Sequence, residues 1–175
     1  MKLVILSDTH GSTQAVERVF SEQPDAALYL HAGDVLGDAE YMASLVGAEL
    51  NAGEQDESVS PRVIGVPGNT DWPDGNQPLA RIVCAAGHRI LLAHGHSFGV
   101  QYTTKFFADA AAESNCDIAV YGHTHIVDVS PGTPITVLNP GSAARPRDAY
   151  EASYMVAEME EGQAAEVRVV RMKEI

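Results

Sequence analysis

Lys2-Leu3-Val4-Ile5-Leu6-Ser7-Asp8-Thr9-His10 is the stretch whose reading decides the fold. An apolar run of four side chains reads as a strand buried on both faces, and Ser-Asp-x-His then ends it. The pattern recurs along the chain. Ala26 to Leu30 leads into His31-Ala32-Gly33-Asp34, and Arg62 to Val66 into Pro67-Gly68-Asn69-Thr70-Asp71. Arg89 to Ala93 leads into His94-Gly95-His96, and Asp117 to Val120 into Tyr121-Gly122-His123-Thr124-His125. Ile135 to Leu138 leads into Asn139-Pro140-Gly141-Ser142.

Between some of these runs the period changes. Ser12 to Ser21 carries Ala15, Val16, Val19 and Phe20 on one helical stripe, and Ala39 to Leu50 and Tyr102 to Ser114 also read as helices. Strand–helix alternation predicts an α/β architecture with parallel strands. Ala86-Gly87-His88-Arg89 reads as a hairpin turn. The polar, acidic middle of Gly47 to Pro61 reads as an exposed loop. Ser153 to Glu158 and Ala165 to Met172 read as a terminal hairpin turning at Glu160 to Gln163.

Composition bounds the function. A chain of 175 residues predicts one domain, 1–175, and 45% hydrophobic residues suffice for a core. The net charge of −13 excludes a binder that presents a basic face to nucleic acid or to an anionic membrane. It does not exclude a nuclease, because bound metal reverses charge locally. Cys84 and Cys116 form no CxxC pair, so neither a disulfide scaffold nor a thiolate metal site is expected, and both read as buried core thiols. The apolar start is too short for a signal peptide, and no run reaches the roughly 18 residues of a membrane span. A soluble cytoplasmic protein is the expectation.

The chemistry lies just past the strand ends, where open α/β sheets bind ligands. Asp8, His10, Asp34, Asn69, His94, His123 and His125 offer two carboxylates, one amide and four imidazoles. That set suits manganese, iron, cobalt, nickel or zinc better than magnesium or calcium. Seven ligands are too many for one transition ion and fit two. Two divalent ions would bring about +4 against the −2 of Asp8 and Asp34, so the site attracts a phosphoryl group despite the acidic chain.

In this order, Asp8-x-His10, Gly33-Asp34, Gly68-Asn69-x-Asp71, His94-Gly95-His96 and Gly122-His123-x-His125 resemble the calcineurin-like metallophosphoesterase superfamily. The short length and Asn139-Pro140-Gly141-Ser142 resemble its small YfcE-type phosphodiesterase branch. The resemblance implies a four-layer α-β-β-α sandwich and a phosphodiesterase that uses a hydroxide held by two metals, manganese being the first expectation. It implies one ion on Asp8, His10 and His125, the other on Asn69, His94 and His123, and Asp34 bridging. Asp34, Asn69, His94 and His96 become the catalytic candidates. Many superfamily members carry a general-acid His where this chain has Thr70, and Thr is no acid near neutral pH. The YfcE-type branch lacks that His too. Thr70 therefore favours diesters with low-pKa leaving groups and speaks against a phosphomonoesterase. A cyclic nucleotide, a dinucleotide, a glycerophosphodiester or a nucleic-acid end each fits. Two further readings come by analogy: a homodimer, and an interaction module like the phosphoesterase-fold subunit of retromer. The intact ligand set disfavours the second.

Other residues read less sharply. Arg145 is a candidate substrate contact beside Thr70, whereas Arg147 reads as a solvated loop residue. His96 reads equally as a phosphate contact or a partner of a ligand His. His31 reads as a structural neighbour of the site, and His88 as a turn residue. Ser7 and Thr9 read as partners of loop amides. Asn139 and Ser142 read either as supports for a ligand His or as a plain turn. Trp72 reads as a stacking platform or as a rim residue on Pro73. Asp71 is expected to bond a backbone amide or His96.

Overall fold

The computed structural model describes residues 1–72, 76–132, 134–147 and 151–173. Ten strands and three helices are described: β1 Lys2–Leu6, α1 Thr13–Glu22, β2 Leu28–His31, α2 Leu36–Val46, β3 Arg62–Gly65, β4 Ala80–Ala85, β5 His88–Ala93, α3 Lys105–Glu113, β6 Ile118–Val120, β7 Val127–Ser130, β8 Thr136–Pro140, β9 Ala152–Glu158 and β10 Glu166–Met172. They form two five-stranded mixed sheets, ordered β10-β9-β1-β2-β3 and β4-β5-β6-β8-β7. β1, β2 and β3 run parallel, as do β5, β6 and β8.

The layers follow from the strand period of two. In β1, Leu3 and Ile5 enter the core between the sheets, while Val4 and Leu6 face α1 and α2. In β5, Ile90 and Leu92 enter the central core, while Leu91 and Ala93 pack toward Phe107 of α3. Three apolar cores between four layers make the α-β-β-α sandwich, and both faces of each central strand are covered. That is why the strands read as unbroken apolar runs.

Element ends differ from the sequence reading where a turn intervenes. α1 starts at Thr13 because the Ser12 hydroxyl caps it, accepting the Ala15 N–H at 3.2 Å. α2 begins at Leu36 and stops at Val46, not Leu50, because Gly47 takes the left-handed conformation at φ 69°. Leu50 then bridges to Val63. α3 begins at Lys105, not Tyr102, since 99–103 form a turn in which Tyr102 N–H reaches the Gly99 carbonyl. The turn between β4 and β5 is Ala86-Gly87, both at positive φ, and His88 already belongs to β5. Cys116 is buried, but Cys84 is only half-buried, because β4 is an edge strand. The terminal hairpin is present as β9 and β10. Among the described residues no helix is long and apolar enough to cross a membrane.

Candidate metal centre

Loops after β1, β2, β3, β5, β6 and β8 meet at one edge of the sandwich. The Asp8 and His10 amides donate to the Gly33 and Asp34 carbonyls at 3.0 and 3.2 Å. The Ala143 amide donates to the Ser7 carbonyl, and the Gly122 amide to His94. The turns are tight. Asp8, His10, Asp34, His123 and His125 all sit at φ between 48° and 67°, a region uncommon for residues other than glycine and often found at functional sites. Two glycines let the loops close. A Cβ on Gly68 would strike the Asp34 carboxylate, and one on Gly122 would strike the Ser7 hydroxyl and the Asp8 carboxylate.

Seven expected ligands converge in two groups. In the first, Asp8, His10, Asp34 and His125 present ligand atoms all within 4.8 Å of one another. His125 Nε2 lies 3.2 Å from Asp8 Oδ1 and 3.2 Å from His10 Nε2. In the second, His94 Nε2 lies 3.1 Å from Asn69 Oδ1 and 3.3 Å from Asp34 Oδ1, and His123 Nδ1 lies 2.8 Å from Asn69 Oδ1. Asp34 touches both groups, Oδ1 facing His94 and Oδ2 lying 3.8 Å from His10 Nε2.

The tautomers make these contacts informative. His94 Nδ1 can only donate to the Ala32 carbonyl, at 2.7 Å, and His125 Nδ1 to the Arg145 carbonyl, at 2.6 Å. In the neutral rings each Nε2 is then a bare lone pair aimed at other acceptors. Asp8 Oδ1 is buried with no hydrogen bond. Such a set is repulsive until a cation lies among the atoms. A proton is the smallest, and His94 and His125 take one more readily than an ordinary His: burial is the largest single influence and opposes it, but Asp34, Asp8 and the Ala32 carbonyl together outweigh it at His94, and Asp8 with the Arg145 carbonyl at His125. Burial pulls His10, His96 and His123 the other way. Burial also pushes the Asp34 carboxyl up, yet His94 and the Thr70 amide and hydroxyl hold it well below the usual range. A divalent ion within each group would satisfy these lone pairs, so the residues present fit metal.

A surrounding layer fixes the ligands. Asn139, fully buried, donates to the Gly122 carbonyl at 2.8 Å and the Thr124 hydroxyl at 3.0 Å, shaping the turn that carries His123 and His125. The Ser142 hydroxyl donates to the Asp8 carbonyl at 2.7 Å. Asp71 does not reach His96; its two oxygens accept the Leu36 and Gly68 amides, each at 2.7 Å. His31 accepts the Gly33 amide at Nδ1, so its Nε2–H donates to the Thr9 hydroxyl, at 2.9 Å. Asp38 went unread in the sequence. Its carboxylate takes the Gly11 amide at 2.8 Å and ties α2 to the loop after β1.

The remaining candidates lie at the rim or outside. The His96 ring centroid is 5.4 Å from His94 and 6.2 Å from His123. Thr70 is exposed beside Asp34. Trp72 is 91% exposed, and its expected partner Pro73 lies outside the described residues. Arg145 is exposed on the rim of the first group. His88 is apart from the centre, paired with Asp117 at 2.5 Å.

A four-layer α-β-β-α sandwich with His, Asp and Asn donors gathered from five strand-end loops is the arrangement of a metallohydrolase-type site. Residues 1–162 match the family model described as the calcineurin-like phosphoesterase superfamily domain, and the chain belongs to that superfamily. Phosphodiesterase YfcE of Escherichia coli (strain K12) is 34% identical over 165 residues, 88% of this chain and 85% of that protein. Among solved structures, a conserved uncharacterized protein from Streptococcus pneumoniae TIGR4, a predicted phosphoesterase, superposes with a TM-score of 0.73 at 24% identity, covering 97% of this chain and 88% of the other. Wild-type Vps29 from Entamoeba histolytica, complexed with zinc, superposes with a TM-score of 0.71 at 18% identity, covering 98% and 99%.

Proposed function

We propose that this protein is a phosphodiesterase working with two divalent transition ions. The observation that carries the reading is Asp34. Its two oxygens face two separate groups of lone-pair donors, the first with Asp8, His10 and His125, the second with Asn69, His94 and His123. When bound, divalent ions supply Lewis acidity, lowering the pKa of water and stabilising charge on phosphoryl oxygens. The chain's own part is to hold donors in place. Asp8 and Asp34 supply the negative charge, and the Ala32 and Arg145 carbonyls aim the Nε2 atoms of His94 and His125 inward. His96, at the rim, is placed to meet a phosphoryl oxygen. Thr70 offers a hydroxyl but no proton near neutral pH, so a leaving group that departs as a weak base is preferred. The Asp, His and Asn donors fit manganese, nickel, cobalt, iron or zinc.

The second reading is a phosphoesterase-fold interaction module, and the seven donors brought together favour the enzyme over it. The test is hydrolysis of bis(p-nitrophenyl) phosphate and p-nitrophenyl phosphate by chelator-treated protein, with Mn²⁺ returned. Turnover of the diester that returns with metal, faster than that of the monoester, is expected. Folded protein inert toward both when Mn²⁺, Ni²⁺, Co²⁺, Fe²⁺ and Zn²⁺ are returned in turn would overturn the reading.

A further inference from the structure

We propose that Arg145 and Arg147 form an anion subsite on the His10–His125 side of the centre, selecting phosphodiesters that carry a second phosphate group beyond the scissile one. For turnover this rests on the phosphodiesterase reading; for binding it does not.

Among 24 acidic residues, most cations are already engaged. Arg18 holds Glu22 and the Lys173 carbonyl, Arg81 holds Glu54, and Arg89 holds the Asn115 and Ser114 carbonyls. Lys2 and Lys105 pair with Asp25 and Asp109. The guanidinium groups of Arg145 and Arg147 are exposed and make no hydrogen bond or ion pair among the described residues. Their backbone, by contrast, is fixed to the centre. The Arg145 amide donates to the Ser142 hydroxyl at 2.6 Å, the Arg145 carbonyl accepts His125 Nδ1–H at 2.6 Å, and the Arg147 amide donates to the His125 carbonyl at 3.0 Å.

Both residues are therefore anchored through their backbone directly beside His125, one of the donors of the first group. The scissile group of a simple diester carries one negative charge, which the ions of the centre would already oppose. Two further guanidiniums that have no partner among the described residues are surplus for that group. They suit a second, dianionic phosphate, whose oxygens match the guanidinium fork.

The probes are thymidine 5′-(p-nitrophenyl phosphate) with and without a 3′-phosphate, which share leaving group and nucleoside. The Mn²⁺-loaded protein is expected to favour the 3′-phosphorylated ester by roughly ten-fold in kcat/KM, mainly through KM, and less at high salt. In R145Q/R147Q that ratio should fall to about one, while R145K/R147K keeps part of it because the charge remains. No preference in the unmodified protein, or an unchanged ratio in the folded Gln variant, would overturn the subsite. Calorimetry with thymidine 3′,5′-bisphosphate and thymidine 5′-monophosphate separates the two claims. If neither ester is turned over but the bisphosphate binds more tightly and the Gln variant erases the difference, the subsite stands and the phosphodiesterase reading falls. Equal binding of both nucleotides overturns the subsite whatever the turnover.

Discussion

The two halves of the centre are held with unequal rigidity. Asp8 and His125 are buried and His10 is half-buried, whereas in the second half only His94 is buried, His123 is half-buried and Asn69 is exposed. The Asp8 amide, carbonyl and Oδ2 are all engaged, by the Gly33 carbonyl, the Ser142 hydroxyl and the His123 amide. In the second half, His94 is rooted on the Ala32 carbonyl, but Asn69 hangs from a surface loop. Preorganised donors lose less entropy on binding, so on the proposed two-ion reading the first half should hold an ion more tightly. Asp34 is the one group common to both. Asp34→Asn removes a charge from each half and is expected to cut kcat for bis(p-nitrophenyl) phosphate by about 1000-fold. Calorimetry with Mn²⁺ should then show the weaker binding event gone and the tighter one diminished. A variant that kept both events intact would break the comparison, because Asp34 would then not be shared.

The rigidity of the first half has a cost in pH range. His31 is fully buried, and burial pushes its pKa down from 6.5 to about 4. The neutral ring is what the fold needs: Nδ1 accepts from Gly33 while Nε2 donates to Thr9, whose hydroxyl in turn donates to the Asp34 carbonyl at 3.4 Å. A folded pKa below the unfolded value means that the unfolded chain binds the extra proton. Stability from this group is therefore full above pH 6.5 and lost as pH falls toward 4, by about 3 kcal/mol at most. Urea unfolding of chelator-treated protein at pH 7 and pH 4 should show a larger loss in the unmodified chain than in His31→Gln, by roughly that amount. Equal losses would mean that His31 does not couple these loops to pH.

Much of this was legible in the sequence, and the reason is burial. Strands covered on both faces, such as Leu3 to Leu6 and Ile90 to Ala93, announce themselves as apolar runs, and ligand-rich loops at their ends stand out by contrast. β7 did not, because Val127-Asp128-Val129-Ser130 is a half-exposed edge. α2 starts at Leu36, three residues before the expected Ala39, and the bond from Gly11 to Asp38 lies in that unread first turn. The list of expected ligands was readable because each loop carries its own. The aim of His94 was not, because it depends on the Ala32 carbonyl, and a carbonyl carries no residue signature.

Asp71 stood at that boundary. Its place after Gly68-Asn69 marked it, but whether it would meet His96 or an amide depended on the loop's course. The structure gives it two amides, Leu36 at the start of α2 and Gly68 in the loop that bears Asn69. It is thus the staple that holds the weaker half against the stronger, since Asp34 lies between them and takes the Thr70 amide at 3.0 Å. Asp71→Asn keeps the shape but leaves one acceptor for two N–H groups and turns an NH₂ toward the other. The cost is that of one unmade bond, about 1–2 kcal/mol, and it falls on the loop rather than the core. Affinity for the more weakly bound Mn²⁺ should drop by roughly ten-fold while the tighter site changes little. Calorimetric titration resolves the two events. A loss shared equally by both sites would show that the halves are one rigid unit, and the contrast between them would be of exposure only.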